Sequence, residues 1–568
     1  MTVNLTDLIA VAKGDMPGDL LISNAKIVNV FSGEIETGNV VIYKGRIAGI
    51  GDYTKAGKII DLEGKYLAPG LINGHTHIES SMLDIGQYAR AVVSRGTLAV
   101  ITDLHELTNV CGLDAIRYIL DGVKKLPLDL FLMAPSCVPA TNMETSGADI
   151  TAQELKQILR RKNVIGLGEM MNFPGVMYRD GNVLDKIELY QDKIIDGHSP
   201  GLSGKDLNAY ISAGIYSDHE CVSLHEAEEK LQRGMHIMIR EGSSEKNLKE
   251  LLPLVTDKTY KRCMFVVDDR SCSDLLNDGD IDAVVRKAIR LGLEPVRAIQ
   301  LATINTAEYF GLKRTGAIAP GYMANFITLN NLSDFDIDMV FYKGKQVAGH
   351  GSALFAIKPL RVSRPTHSVR IKPFKVADLK LKARGDDSLV IEIVPGQIVT
   401  KKTTAKVRIK DGYVCADTER DILKLVVMER HHATGNIGKG LIKGLGLKKG
   451  AIASSVGHDS HNVIAAGTND EDLYIAIKEI EKLQGGLAVV AEGKVMGSLQ
   501  LSIGGLMSLE PLETVAGKLQ ELKNMAAELG AKLPDPFATL SFMALPVIPE
   551  LRLTDLGLVD VTQFKIVE

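Results

Sequence analysis

Two imidazoles stand two residues apart in Gly74-His75-Thr76-His77-Ile78-Glu79. In extended backbone alternate side chains share a face, so His75 and His77 can grip one ion. Gly166-Leu167-Gly168-Glu169 adds a carboxylate, and Asp196-Gly197-His198 adds an imidazole. Ser217-Asp218-His219-Glu220 adds another imidazole, and Phe265-Val266-Val267-Asp268-Asp269 ends in paired carboxylates. Each group alone is ordinary, since a Glu after a strand is usually solvated and a His after a Gly is often a turn residue. Their joint occurrence is the argument: imidazole with carboxylate suits Zn, Mn or Fe(II) and disfavours Ca or Cu(I). Adjacent strand residues point oppositely, so only one of Asp268 and Asp269 should face such an ion.

These groups need elements that carry them to one place. Short apolar runs begin near Leu71, Leu98, Leu130, Val164, Ile194, Ile215, His236 and Met264, with helix-like stretches between them. That alternation, at roughly 20 to 35 residues, is what a βα repeat requires. Runs apolar at nearly every position suit strands covered on both faces. The reading is α/β: a (β/α)8 TIM barrel over 68–312, with the groups above at the C-terminal ends of its strands, where this architecture places catalysis. Residues 1–67 and 313–355 read as a small discontinuous β-domain flanking the barrel. Residues 356–375, with Pro359, Pro365 and Pro373, read as a linker. Residues 376–568 read as a C-terminal α+β domain, with a strand at 389–394 and a helix from about 470 to 483.

The bulk properties exclude several classes. A chain of 568 residues is too long for one core. A net charge of -4 without a basic stripe argues against nucleic acid as a partner. No apolar run is long enough for a membrane span, and the start has no signal-peptide pattern. Six cysteines without a C-x-x-C pair read as reduced thiols of a cytoplasmic protein. Gly504-Gly505 is a turn, since no phosphate-loop pattern surrounds it.

The segment Pro69-Gly70-Leu71-Ile72-Asn73-Gly74-His75-Thr76-His77 resembles the entry motif of the amidohydrolase superfamily. More narrowly, Gly168-Glu169-Met170-Met171-Asn172-Phe173-Pro174-Gly175-Val176, Asp196-Gly197-His198-Ser199-Pro200-Gly201-Leu202 and Asp268-Asp269-Arg270 resemble the bacterial adenine deaminases. So do Ser217-Asp218-His219-Glu220 and Ser454-Ser455-Val456-Gly457-His458-Asp459-Ser460-His461-Asn462, and the resemblance covers nearly the whole chain. One departure is Gly321-Tyr322-Met323-Ala324-Asn325, where the flanking domain usually carries an acidic residue.

The resemblance implies a metal-dependent hydrolase that converts adenine to hypoxanthine and ammonia with a metal-activated hydroxide, in purine salvage. It implies two divalent transition-metal ions, Mn(2+) foremost, with Fe(2+) or Zn(2+) as alternatives. His75, His77 and Asp268 would hold one ion, His198 and His219 the second, and Glu169 would bridge them. Asp268 and Glu169 form the catalytic set, Asp268 being the member of its pair that the family motif selects. Glu169 brings its own carboxylate where a Lys would need carbamylation, which weighs against the cyclic amidases. The alternative is another amidohydrolase reaction, cyclic amide hydrolysis or amino-sugar deacetylation. His105 and Glu106 are expected at the pocket, with a solvated turn as the other reading. Glu220 either meets the purine or orients His219 from behind. The C-terminal domain would lean over the barrel mouth, but its His431, His432, His458 and His461 stay outside the catalytic set. A closed mouth without room for ribose, a small-molecule substrate and a homodimer complete the expectations.

Overall fold

The computed structural model describes residues 4–357 and 365–567. Leu71–Asn73, Thr97–Thr102, Asp129–Ala134, Val164–Met170 and Ile194–Gly197 form a five-stranded parallel sheet in chain order. Ser217–Asp218, His236–Arg240 and Cys263–Val266 form a second parallel sheet, and Thr76–His77 pairs in parallel with Asp268–Asp269. Hydrogen bonds join these sheets edge to edge. Tyr216 N donates to Ile195 O at 3.4 Å, Gly197 N to Ser217 Oγ at 3.2 Å, and Asp268 N to His75 O at 3.0 Å.

The strand sequences explain this placement. Thr97-Leu98-Ala99-Val100-Ile101-Thr102 is buried at every position, as β-branched and apolar residues between two covered faces should be. Helices follow the strands and cover the outside. Ile281–Arg290 buries Ile281, Val284, Val285 and Ala288, one stripe at helical spacing, and keeps Lys287 and Arg290 for its last turn. Caps fix where such helices start: Asp84 accepts from Gly86 N at 3.3 Å, and Asp180 accepts from Asn182 N at 2.9 Å.

A nine-stranded sheet draws on both flanks of this region. Phe326–Leu329 runs antiparallel to Tyr66–Pro69, and Tyr66–Pro69 runs parallel to Gly18–Asn29. Residues far apart in the chain therefore share one sheet, and its inner strand Tyr66–Pro69 leads directly into Leu71–Asn73 and the His75–His77 segment.

The C-terminal region holds an eight-stranded sheet with the helix Asp470–Leu483 against it. Asn469 caps that helix by accepting from Asp472 N at 2.8 Å, and Asp470, Glu471 and Asp472 crowd the positive end of its dipole. Ala451–Ser454 and Val463–Gly467 are antiparallel neighbours, so residues 455–462 form the loop between them.

Of the linker expected over 356–375, residues 358–364, Pro359 among them, lie outside the described residues. Residues after 365 differ from a free linker. Val369 and Ile371 are buried in the C-terminal core, and Arg370 N donates to Arg430 O at 2.7 Å. Two apolar side chains at alternate positions give that segment a face to bury. All six cysteines are free thiols. Among the described residues no helix is long and apolar enough to cross a membrane.

Candidate metal centre and active-site cavity

The strand ends converge on Glu169. Its Oε1 lies 3.2 Å from His77 Nε2 and 3.9 Å from His75 Nε2. Its Oε2 lies 2.7 Å from His198 Nδ1 and 3.2 Å from His219 Nε2. Asp268 Oδ1 stands 2.9 Å from His77 Nε2 and 3.4 Å from His75 Nε2. One carboxylate thus faces both pairs of imidazoles, and a second caps the His75–His77 pair. His198 is the least enclosed of these residues; the other five are buried.

The donor set fits a cation. Among the described residues, groups of potential ligand atoms that lie within 4.8 Å of one another include His75, His77 and Asp268; His75, Glu169 and His219; His198, His219 and Glu220; and His77, Asp103, His105 and Glu169. His75 Nε2, His77 Nδ1 and His219 Nδ1 are buried without a hydrogen bond. Burial and the neighbouring His219 push the His75 imidazole below its ordinary pKa, toward the neutral form a metal ligand needs. Burial opposes charge on His219, but Glu169 overrides it and lifts the ring to about 9. Burial likewise opposes charge on Asp268, yet the adjacent imidazoles of His75 and His77 and the charge of Arg240 hold that carboxyl well below the carboxylate range. Without an ion, protons on the imidazoles balance the carboxylates; a divalent ion replaces them.

Asp268 and Asp269 part company, although simple strand alternation does not describe how. Asp268 sits at φ 58°, in the left-handed region, so the two-residue strand Asp268–Asp269 departs from regular extended backbone. Its neighbour Asp269 accepts from Ser80 Oγ and faces a cavity on the other side.

That cavity has a volume of about 490 Å³ and lies between the strand ends and the C-terminal region. Glu79, Glu106, Ser243, Asp269, His458 and Phe542 are among its walls. This volume lies in the range typical of drug-sized ligands. Of the three residues expected at the substrate, Glu106 lines this cavity. His105 is turned toward Asp103, whose Oδ1 lies 3.0 Å from His105 Nδ1. Glu220 is paired with Arg240 and stands 3.4 Å from His219 Nε2, the nitrogen that also faces Glu169, so it meets the ligating edge of that ring and not its back.

Three contributors are absent from the sequence reading. Asp103 Oδ1 lies 3.2 Å from His77 Nδ1, fixing that ring from the side opposite Glu169. Arg240 Nη1 donates to Asp268 Oδ2 at 2.8 Å and also meets Glu220. Lys230 is fully buried and donates to Ser199 O at 2.7 Å and to Asp218 Oδ2 at 3.0 Å. Asp218 Oδ1 in turn accepts from Ser199 N at 2.8 Å, so the residue after His198 is tied to the residue before His219. Two of these left traces in the sequence: Asp103-Leu104-His105 is a second D-x-H-like pair at a strand end, and Arg240 closes the otherwise apolar run Ile237-Met238-Ile239.

The class these strands and this centre define is that of the amidohydrolases: residues 66–347 match the amidohydrolase family model. Residues 397–565 match the model of the adenine deaminase C-terminal domain. The chain is 64% identical over 567 residues to a protein named adenine deaminase from Dehalococcoides mccartyi (strain CBDB1), covering 100% of this chain and 99% of that one. It is 48% identical over 564 residues to adenine deaminase 2 of Carboxydothermus hydrogenoformans, covering 99% of each. It is 46% identical over 565 residues to the adenine deaminase of Kosmotoga olearia, covering 98% of each. The chain belongs to the adenine deaminase family.

Proposed function

We infer that this chain hydrolyses adenine to hypoxanthine and ammonia, a step of purine salvage. The full-length identity to proteins named adenine deaminase supports the substrate. The observation that carries the chemistry is the position of Glu169, with one oxygen toward His77 and the other toward His198. In this reading the parallel strands from Leu71 to Val266 are segments of one closed (β/α)8 barrel, the smaller β-rich and C-terminal α+β units standing beside it.

His75, His77 and Asp268 would hold one divalent ion, His198 and His219 a second, with Glu169 shared between them. Imidazole and carboxylate donors suit Mn(2+), Fe(2+) and Zn(2+) alike, and the family resemblance puts Mn(2+) first. Such ions supply two things when bound: ionisation of water near neutral pH and neutralisation of charge that develops on the substrate. The residues do the rest. Asp268 takes up the proton released by the attacking water at Oδ1, the oxygen not engaged by Arg240, and returns it to the departing amine. Arg240 holds that carboxylate in place and keeps it ionised beforehand. Glu106 and Asp269 offer acceptors along the cavity wall to a planar base whose edge carries N–H groups.

The test is turnover in isotopically labelled water. Mass spectrometry of the hypoxanthine formed should show one oxygen taken from solvent. Ammonia release without that oxygen would rule out direct hydrolysis.

A further inference from the structure

The C-terminal region supplies much of the cavity wall, and one of its polar side chains is held there with a defined orientation. His458, on the loop between Ala451–Ser454 and Val463–Gly467, places Nδ1 2.6 Å from Glu106 Oε1. Its ring stacks on Phe542, with centroids 4.6 Å apart and planes at 23°. Its backbone N donates to Ser541 O at 3.1 Å. The ring is therefore fixed on one edge by a carboxylate and on one face by an aromatic ring. Among the described residues none hydrogen-bonds its other nitrogen, Nε2, and the residue is part of the cavity wall.

Glu106 is itself held for this purpose. His461 lies with Nε2 against Glu106 Oε2, the oxygen not used by His458. Gly457 N–H donates to His461 Nδ1 at 3.2 Å, so Nδ1 carries the lone pair and the proton of the neutral ring sits on Nε2, facing Glu106. His461 Nε2 and Glu106 Oε2 touch without hydrogen-bond geometry, and in this tautomer His461 turns an N–H toward the carboxylate with no lone pair left to offer an ion, so the cluster is a carboxylate held between two imidazoles and not a third metal site. Burial opposes charge on His458, but Glu106 outweighs it and lifts the ring to about 9, so Nε2 carries a proton at neutral pH.

We propose that His458 is the C-terminal region's contact to the substrate: its Nε2–H, aimed into the cavity by Glu106 and Phe542, donates to a ring nitrogen of the purine. Purine ring nitrogens are acceptors in the plane of the base, and addition of water at the amino-bearing carbon raises electron density on them. A donor there both selects the heterocycle and favours the adduct over the substrate. On this view the strand ends alone make an incomplete site. The inference rests on the deaminase reading above.

The experiment uses the full chain loaded with Mn(2+) and two variants, His458→Phe and His458→Gln. Phe keeps the stack on Phe542 and removes the donor; Gln keeps a donor. Rate constants for adenine, metal content, melting temperature, and inhibition by 1-, 3- and 7-deazaadenine are measured for each. A lost hydrogen bond from a charged donor predicts that His458→Phe loses about 10- to 100-fold in kcat/KM at unchanged metal content, with part of it regained in His458→Gln. The wild type should discriminate against one deazaadenine, the one lacking the accepting nitrogen, and His458→Phe should not. Undiminished kcat/KM in His458→Phe overturns the assignment. So does a loss that tracks metal content or melting temperature, or discrimination among the three analogues that both variants retain in full. A wild-type enzyme that releases no ammonia from adenine would instead overturn the deaminase reading, and that is read from the wild-type arm alone.

Discussion

Arg240 Nη1 donates to Asp268 Oδ2 at 2.8 Å, while Asp268 Oδ1 lies 2.9 Å from His77 Nε2. One carboxylate is thus divided between a permanent cation and the candidate metal centre. Its neighbour Asp269 faces the cavity instead.

This division predicts different losses for two adjacent substitutions. Asp268→Asn keeps the size of the side chain but cannot accept a proton near neutral pH, so kcat should fall by about 10²–10⁴-fold. Asp269→Asn should keep its metal and most of its kcat and change mainly KM, because its carboxylate lines the cavity. Steady-state kinetics with metal content measured on the same samples decides. A dead, metal-replete Asp269→Asn beside an active Asp268→Asn would exchange the two roles.

Glu169 governs stoichiometry. It alone faces both imidazole pairs, so the wild type should bind close to two divalent ions and Glu169→Gln one or fewer. Elemental analysis after exhaustive dialysis reads this directly. Two tightly held ions in Glu169→Gln would mean that the carboxylate is not shared.

Lys230 and Asp218 form an ion pair sealed from water. Removing one partner from such a pair leaves an uncompensated buried charge, which typically costs about 3–5 kcal/mol. Lys230→Met should lose stability in that range in a denaturant melt. The double variant Lys230→Met with Asp218→Asn should recover part of it. A single variant within about 1 kcal/mol of wild type would show that this tie between the His198 and His219 loops is dispensable.

Much of this was legible in the chain itself, for reasons that differ by element. The runs starting near Leu71, Leu98, Leu130, Val164, Ile194 and His236 coincide with or abut observed strands, because strands covered on both faces are apolar throughout. The sixth run was weaker: only Ser217–Asp218 enters the ladder, although apolar Ile215 precedes it. The helix at 470–483 was marked by its Asn469 cap and acidic first turn. His75, His77, Glu169, His198, His219 and Asp268 could be picked out because each ends a run. Arg240, Lys230 and the Glu106–His458 contact could not. Arg240 shows only as a charge closing an apolar run and Lys230 sits in an ordinary helix, so their roles depend on what packs against them. His458 reaches Glu106 across 352 positions of sequence, a pairing that only tertiary closure creates.

The most direct measurement is mass-spectrometric analysis of the products that the metal-replete chain forms from a panel holding adenine, a hydantoin, a dihydropyrimidine and an N-acetylated amino sugar, with ammonia assayed alongside. The account predicts stoichiometric ammonia and hypoxanthine from adenine and no turnover of the other three. Rapid hydrolysis of a cyclic amide or the amino sugar, with adenine untouched, would contradict it and assign this centre to a different amidohydrolase reaction.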